Sequence, residues 1–203
     1  MLDTNIEALP HQVRVADVSE REQVLNAITL GFSADPVARW IWPEARTYLN
    51  AMPRFAAAFG GRAIDAGTAF VTDGLRAASL WLQPGIEPDG DTIEGILEET
   101  VRPEISDDLN KMFELMDAHH PEETHWYLPM IAADPRFLGL GHGAAILKHA
   151  LRTCDETETL VYLESSNARN ISLYERFGFE TIGEIAPGEA PPMYPMIRQP
   201  RSV

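Results

Sequence analysis

The residues of this sequence best suited to chemistry lie in its last 80 positions. Gly139, Gly141 and Gly143 stand in the run LGLGHGA, between a β-rich run from His125 to Ala133 and a stretch with Leu147, Ala150, Leu151 and Cys154 at helical spacing. A strand, spaced glycines and a helix form a geometry that holds anions: the backbone can approach the ligand, and the helix N-terminus offers free N–H groups and a positive dipole end. Glu164 ends the next β-rich run, Thr159 to Glu164. Burial there would raise its pKa and let it take a proton, directly or through water; it could equally be a hydrogen-bonded structural carboxylate. Tyr174 lies on the stretch Ala168 to Phe177, stopped by Gly178. Cys154 falls on a buried helical stripe, where it makes a poor nucleophile. His125 begins its strand, and His119 and His120 have no partner at ligand spacing, so no metal is expected.

The glycine run admits more than one ligand. Gly139-x-Gly141-x-x-Ala144 satisfies the dinucleotide fingerprint G-x-G-x-x-G/A, and Glu164 follows 20 residues after Ala144. Against that, Asp134 to Leu138 separate the strand from Gly139, and only 39 residues follow Glu164, too few for the remaining βα units of a doubly wound sheet. A third alternative is that the glycines only shape a helix entry.

The elements that must position these residues follow from periodicity. Gln12 to Ala16 is a short strand; Ser19 with Glu22 forms a capping box before the stripe Val24, Leu25, Ile28, Phe32. Asp35-Pro36 breaks that helix, and a second covers Ala45 to Phe59. Asp73-Gly74 joins the β-rich runs Thr68 to Thr72 and Leu75 to Leu82 as a hairpin. Ile93, Ile96, Leu97 and Val101 share one helical face; Leu109, Met112, Phe113 and Met116 share another. Phe179 to Ile185 and Met193 to Arg198 are closing strands. The pattern indicates one α/β (α+β) domain over 1–203 with a mixed central sheet, an acidic helical segment at 84–123 and a ligand-binding core at 125–185.

Composition sets the class. The chain has 203 residues and a net charge of -15, and between Glu87 and Glu123 13 acidic residues face only Arg102 and Lys111. Such a chain has no basic stripe for nucleic acid; its acidic segment is a solvated face or a field that attracts a cationic amine. A single cysteine excludes a disulfide framework, no run approaches the length of a membrane span, and the N-terminus lacks the basic start and apolar core of a secretory signal, so a cytoplasmic protein is expected.

From Trp126 to Phe179 the chain resembles the GNAT superfamily of N-acetyltransferases. The superfamily's signature Q/R-x-x-G-x-G/A is matched by Leu138-Gly139-Leu140-Gly141-His142-Gly143, and an Asn with a Tyr seven positions on, then x-x-x-Gly-Phe, by Asn167, Tyr174, Gly178 and Phe179. HWYLPMIAADP, the LESSN strand end and NISLYERFGF look like the branch that contains puromycin N-acetyltransferase. The resemblance implies acetyl-CoA as cosubstrate, its arm filling a splayed strand pair along Ile131, Ala132 and Ala133, with Asn167 and Asn170 touching it. The pyrophosphate would lie over Leu138, Gly139, Leu140, Gly141, His142, Gly143 and Ala144. It implies Tyr174 as general acid, a base at Glu164, and direct attack by a small-molecule amine in a ternary complex. Leu138 departs from Gln or Arg and weakens the cofactor contact, which Arg136 would partly restore. The amine pocket is expected at the first two helices, with Phe32, Trp40, Trp42 and Tyr48 as aromatic surface and Glu44 as a carboxylate. A homodimer fits the relatives. A non-catalytic acetyl-CoA sensor, or an enzyme acetylating a protein amine, are the alternatives.

Overall fold

The computed structural model describes residues 11–201; the first ten residues, on which the expectation of no secretory signal mostly falls, lie outside them. Strands β1 (Val13–Val15), β2 (Ala69–Thr72), β3 (Ala77–Leu82), β4 (His125–Ala133), β5 (Leu160–Ser165), β6 (Glu180–Thr181) and β7 (Tyr194–Arg198) form one mixed sheet in the order β1-β2-β3-β4-β5-β7-β6. Only β4 and β5 pair in parallel; the other neighbours are antiparallel. The β2–β3 hairpin forms at Asp73-Gly74, where Gly74 takes φ 65° in the left-handed region. Phe179 to Ile185 keeps only Glu180–Thr181 as strand, with a bridge from Ile185 to Met193.

Helices cover both faces. α1 (Arg21–Gly31), α2 (Pro36–Ile41), α3 (Ala45–Gly60), α4 (Arg62–Asp65), α5 (Gly90–Thr100) and α6 (Ser106–His119) precede β4; α7 (His142–Glu156) and α8 (Ile171–Arg176) follow it. Alternation along β3 sends Ala78, Leu80 and Leu82 to the core under the helices that precede β4, and Ala77 and Trp81 to the core under α7 and α8. The first cap differs from the expectation. Asp17, not Ser19, closes the box: it accepts from the Ser19 amide at 2.8 Å while Glu20 accepts from the Asp17 amide at 2.9 Å, so a single 3-10 turn precedes α1. Asp35-Pro36 does more than break a helix; Asp35 caps α2, with Pro36 in the first turn.

The feature that opens the sheet lies within β4. Leu80 pairs with Met130 but Leu82 with Tyr127, so two steps along β3 face three along β4. This bulge falls at Leu128-Pro129, where proline has no N–H for the ladder and an extra residue bends the strand. Parallel pairing of β4 with β5 is confined to His125–Tyr127 against Leu160–Tyr162. Past Tyr127, β4 stays paired to β3 as far as Ala133 with Ala77, while β5 stays paired to β7 as far as Ser165 with Tyr194. The two strands therefore diverge. Gly31 lets the end of α1 lie directly against this part of β4; a Cβ there would meet Ala132 Cβ and the Ala133 carbonyl oxygen at 2.5 and 2.9 Å.

Candidate functional site

The divergence of β4 and β5 makes a cavity of about 380 Å³. Its walls are Leu128 to Ala133 of β4, Leu163 to Ser165 of β5, the following turn through Asn167 and Asn170, and Tyr174 of α8, with Phe32, Asp35 and Trp42 across from them. Ile131, Ala132, Ala133 and Leu138 all line it, so four expected ligand-binding positions share one surface. Beyond Tyr127 the β5-facing backbone edge of β4 has no strand partner among the described residues. An extended, amide-bearing ligand could pair there as an added strand does.

The glycine run continues from this cavity. Gly139 and Gly141 take φ 76° and 92°, and nothing lies within 4 Å of a Cβ built on Gly139. Gly141 is the N-cap of α7 and supplies no side-chain cap. The N–H groups of His142, Gly143 and Ala144 thus start a 15-residue helix without an intrahelical acceptor, the arrangement that receives phosphate. The His142 side chain itself does not face outward. It is buried and stacked on His11 with ring centroids 3.8 Å apart, and neither ring nitrogen has a hydrogen-bond partner. His11 Nε2 lies 2.6 Å from the Leu140 carbonyl oxygen. Leu138 is 65% exposed. Arg136 packs its guanidinium 5.8 Å from the Phe137 ring centroid and does not line the cavity.

Glu164 sits at the floor. Tyr127 donates to its Oε2 at 2.8 Å, and its Oε1 is buried with no hydrogen-bond partner among the described residues. Burial pushes this carboxyl from 4.5 up to about 7, against the pull of the Tyr127 hydrogen bond. A carboxyl poised there is ionised enough at neutral pH to accept a proton. Tyr174 is buried, its hydroxyl makes no hydrogen bond among the described residues, and burial followed by the Asp35 charge raises its pKa, which keeps it a proton donor. Asn167 Oδ1 accepts from the Arg169 amide at 3.1 Å and so shapes the turn that presents Asn170 and Tyr174.

Asp35 was read only as part of a helix break. It is a buried cavity residue whose Oδ1 accepts from the Val37 and Ala38 amides at 3.0 Å, while Oδ2 accepts from Ser166 Oγ at 2.6 Å. Burial raises its pKa. The N-cap role follows from Asp before Pro; the bond to Ser166, 131 residues away, has no local signal. Tyr127 and His120 were also missed. His120 lies 3.0 Å from His125, nitrogen to nitrogen, and packs on the Tyr127 and Tyr162 rings. His125 is thereby held on the far side of Tyr127 from the cavity between the strands.

The expected amine pocket dissolves in part into core. Tyr48 donates to the Thr29 carbonyl at 2.6 Å and Trp42 donates to Thr100 Oγ1 at 2.9 Å; both are buried. Phe32 and Trp42 line the cavity, whereas Trp40 and Tyr48 do not, and Glu44 is exposed at the N-cap of α3. A second cavity of about 640 Å³ opens instead between α5 and α6 and reaches Glu164 from the other side. No group of metal-ligating side chains occurs among the described residues, nor does any described helix have the length and apolarity to cross a membrane.

Residues 99–179 match the model of the acetyltransferase (GNAT) family. An uncharacterized N-acetyltransferase of Schizosaccharomyces pombe is 29% identical over 84 residues, 40% of this chain and 34% of that protein, so the match spans about a third of the relative's length. Among solved structures, the Corynebacterium glutamicum protein named histone acetyltransferase HPA2 and related acetyltransferase superposes with a TM-score of 0.67 at 22% identity, covering 96% of this chain and 99% of that one. A polyamine N-acetyltransferase of Drosophila melanogaster, which forms N-acetylagmatine, gives 0.62 at 15% identity over 93% and 99%. A mosquito arylalkylamine N-acetyltransferase like 5b gives 0.61 at 13% over 93% and 99%. The fold of this chain is the fold of these acetyltransferases.

Proposed function

We propose that this GNAT-fold chain is an acetyl-CoA-dependent N-acetyltransferase acting on a small-molecule amine. The observation that carries the reading is the opening between β4 and β5, with an unpaired backbone edge along Leu128–Ala133, Glu164 on its floor and Tyr174 in its wall. The residues present fit the cosubstrate: the strand edge suits the pantetheine amides, and the uncapped α7 N-terminus with Gly139 and Gly141 suits the pyrophosphate. Leu138 adds apolar contact where a hydrogen-bond donor would add more.

Acetyl-CoA supplies an acyl group already activated as a thioester. The chain's own residues then hold the partners and move protons. A free alkylammonium has a pKa near ~10 and cannot attack until it loses its proton. Glu164, at about 7, takes that proton directly or through water. The amine nitrogen forms its bond to the acetyl carbon as the C–S bond breaks, and the nitrogen then gives its second proton to solvent to leave the neutral amide. Tyr174 passes its hydroxyl proton to the departing sulfur and is reprotonated from solvent. Cys154 takes no part: it is buried on α7, and burial raises its thiol pKa to about 12, so attack is direct and not through an acyl-enzyme.

The resemblance to the puromycin-acetylating branch places an aliphatic amine that carries an aromatic group among the acceptors to be tried. The polyamine, agmatine and arylalkylamine enzymes that share the fold add short cationic amines. The reading places the protein in the cytoplasm, as a monomer or homodimer. The test mixes the purified protein with acetyl-CoA and follows thiol release across primary amines, puromycin and short peptides. Amine-dependent release that falls sharply in Tyr174→Phe, with CoA binding retained, supports the reading. CoA binding without release from any amine makes the protein a sensor. Release with peptides alone moves the substrate to a protein.

A further inference from the structure

The helices α5 and α6 form a two-helix insertion between β3 and β4, and the second cavity lies between them. Its inner surface is apolar, lined by Ile93 and Leu97 of α5, Val101 just after it, and Leu109, Phe113 and Met116 of α6. Its mouth carries Glu87, Glu94, Glu98 and Asp117, all exposed. Lysine and arginine are absent from its described lining, and none of these four carboxylates has an ion pair among the described residues; nearby Glu99 and Glu114, by contrast, are paired with Arg54 and Lys111. The inner end is closed by His120, Tyr127 and Glu164. Glu164, Phe59, Leu109, Phe113 and Met116 line this cavity and the one between β4 and β5, so the two meet at the carboxyl whose Oε1 is buried and unpartnered.

We propose that this cavity is the acceptor site and that it selects amines carrying a second cationic group, a diamine or an aminoalkyl guanidine whose apolar spacer lies between α5 and α6. The inference rests on the acetyltransferase reading and deepens it. A cation draws near the mouth because four unpaired carboxylates focus field there. The nitrogen that reacts must become neutral at Glu164, inside an apolar channel, and from then on it has nothing to gain from the rim. The carboxylates at the mouth therefore favour a substrate only if a charge stays among them while the other end reacts. That charge stays in water-accessible surroundings, where an ion pair carries no large desolvation cost. The spacer exchanges water for the apolar walls. His120 is the one basic side chain in the described lining, and burial followed by the neighbouring His125 lowers its pKa, which disfavours a positive charge that would repel the substrate.

The test compares hexylamine with diaminohexane, two acceptors of equal chain length, in the thiol-release assay, alongside calorimetric binding of diaminohexane to the CoA-loaded protein. The expected kcat/KM for the diamine exceeds that for hexylamine by about tenfold at low salt, and the ratio shrinks as salt rises. In the double variant Glu94→Gln/Glu98→Gln the ratio falls about fivefold to tenfold and diamine binding weakens in step. Asp107→Asn, on α6 but outside the cavity lining, leaves the ratio unchanged. Both glutamates are exposed and unpaired, so the double variant should melt with the parent. Equal efficiency for the two amines, or a ratio indifferent to the double variant, overturns the proposal while the transferase reading stands. Diamine binding that the double variant abolishes, without thiol release from any amine, supports the site and overturns the transferase reading instead.

Discussion

Glu164→Gln separates the cost of the buried carboxyl from its use. The folded protein holds this group at about 7, whereas in an unfolded chain it titrates near 4.5. Between those values the folded state keeps a proton that the unfolded state has released, so stability falls as pH rises from 4.5 through 7. Above about pH 8 both states are ionised, and the native state then carries a penalty of about 3 kcal/mol. Glutamine has the same shape, offers the Tyr127 hydroxyl an acceptor and never ionises. The variant should gain little near pH 4 and about 3 kcal/mol near pH 8.5, which for a chain of this size is roughly 6–12 °C in Tm. Thermal unfolding of both proteins at the two pH values measures the gain as a difference of differences, which cancels any fixed packing effect. The same variant should lose roughly 10²–10⁴-fold in kcat/KM, together with the rise of activity through about pH 7 expected of the parent. A gain equal at both pH values, or a parent profile flat across neutrality, would refute both the raised carboxyl and its role as base.

Three other outcomes are expected. Tyr174→Phe removes a hydroxyl that makes no hydrogen bond among the described residues, so melting should move little while kcat drops about 10²-fold or more and calorimetric CoA affinity holds. Leu138→Arg puts a donor on an exposed position beside the opening between β4 and β5 and should tighten CoA about threefold to tenfold in the same calorimetry, with Tm unchanged. Asp155→Ala leaves the Arg198 guanidinium, 3% exposed and bound to Asp155 at 2.7 Å, without its counter-ion; denaturant unfolding should show a loss of about 3–5 kcal/mol.

Much of the fold could be read from local pattern because each element declares itself within a few residues. The hairpin at Asp73-Gly74, the stripes of α5, α6 and α7, and the stop at Gly178 depend on periodicity and on glycine's freedom at positive φ. Small displacements also have local causes. Asp17 took the cap from Ser19 because its carboxylate reaches the Ser19 amide while Glu20 reaches back to the Asp17 amide. Phe179 to Ile185 keeps little strand because the ladder with β7 covers Glu180 and Thr181, with the Ile182 N–H to the Pro195 carbonyl at 2.9 Å at its end.

The candidate site divides along the same line. Sequence alone made two turns legible: Gly139 and Gly141 between β4 and α7, and Asn167 with Tyr174 after β5, because each depends on backbone conformation and spacing within its own strand–loop–helix unit. Pro129, in the middle of β4, was visible too, although its consequence was not. That a bulge there ends the pairing with β5 at Tyr127 depends on what β3 and β7 hold in place on either side. Tertiary structure alone decided the rest. Asp35 meets Ser166 across 131 residues, Glu164 acquires its raised pKa from the elements that bury it, and α5, α6 and the loop before them bring four carboxylates to a channel that ends at that same group. Charge and burial act through space at distances of a few ångströms, and which residues come that close is settled by packing, not by spacing along the chain.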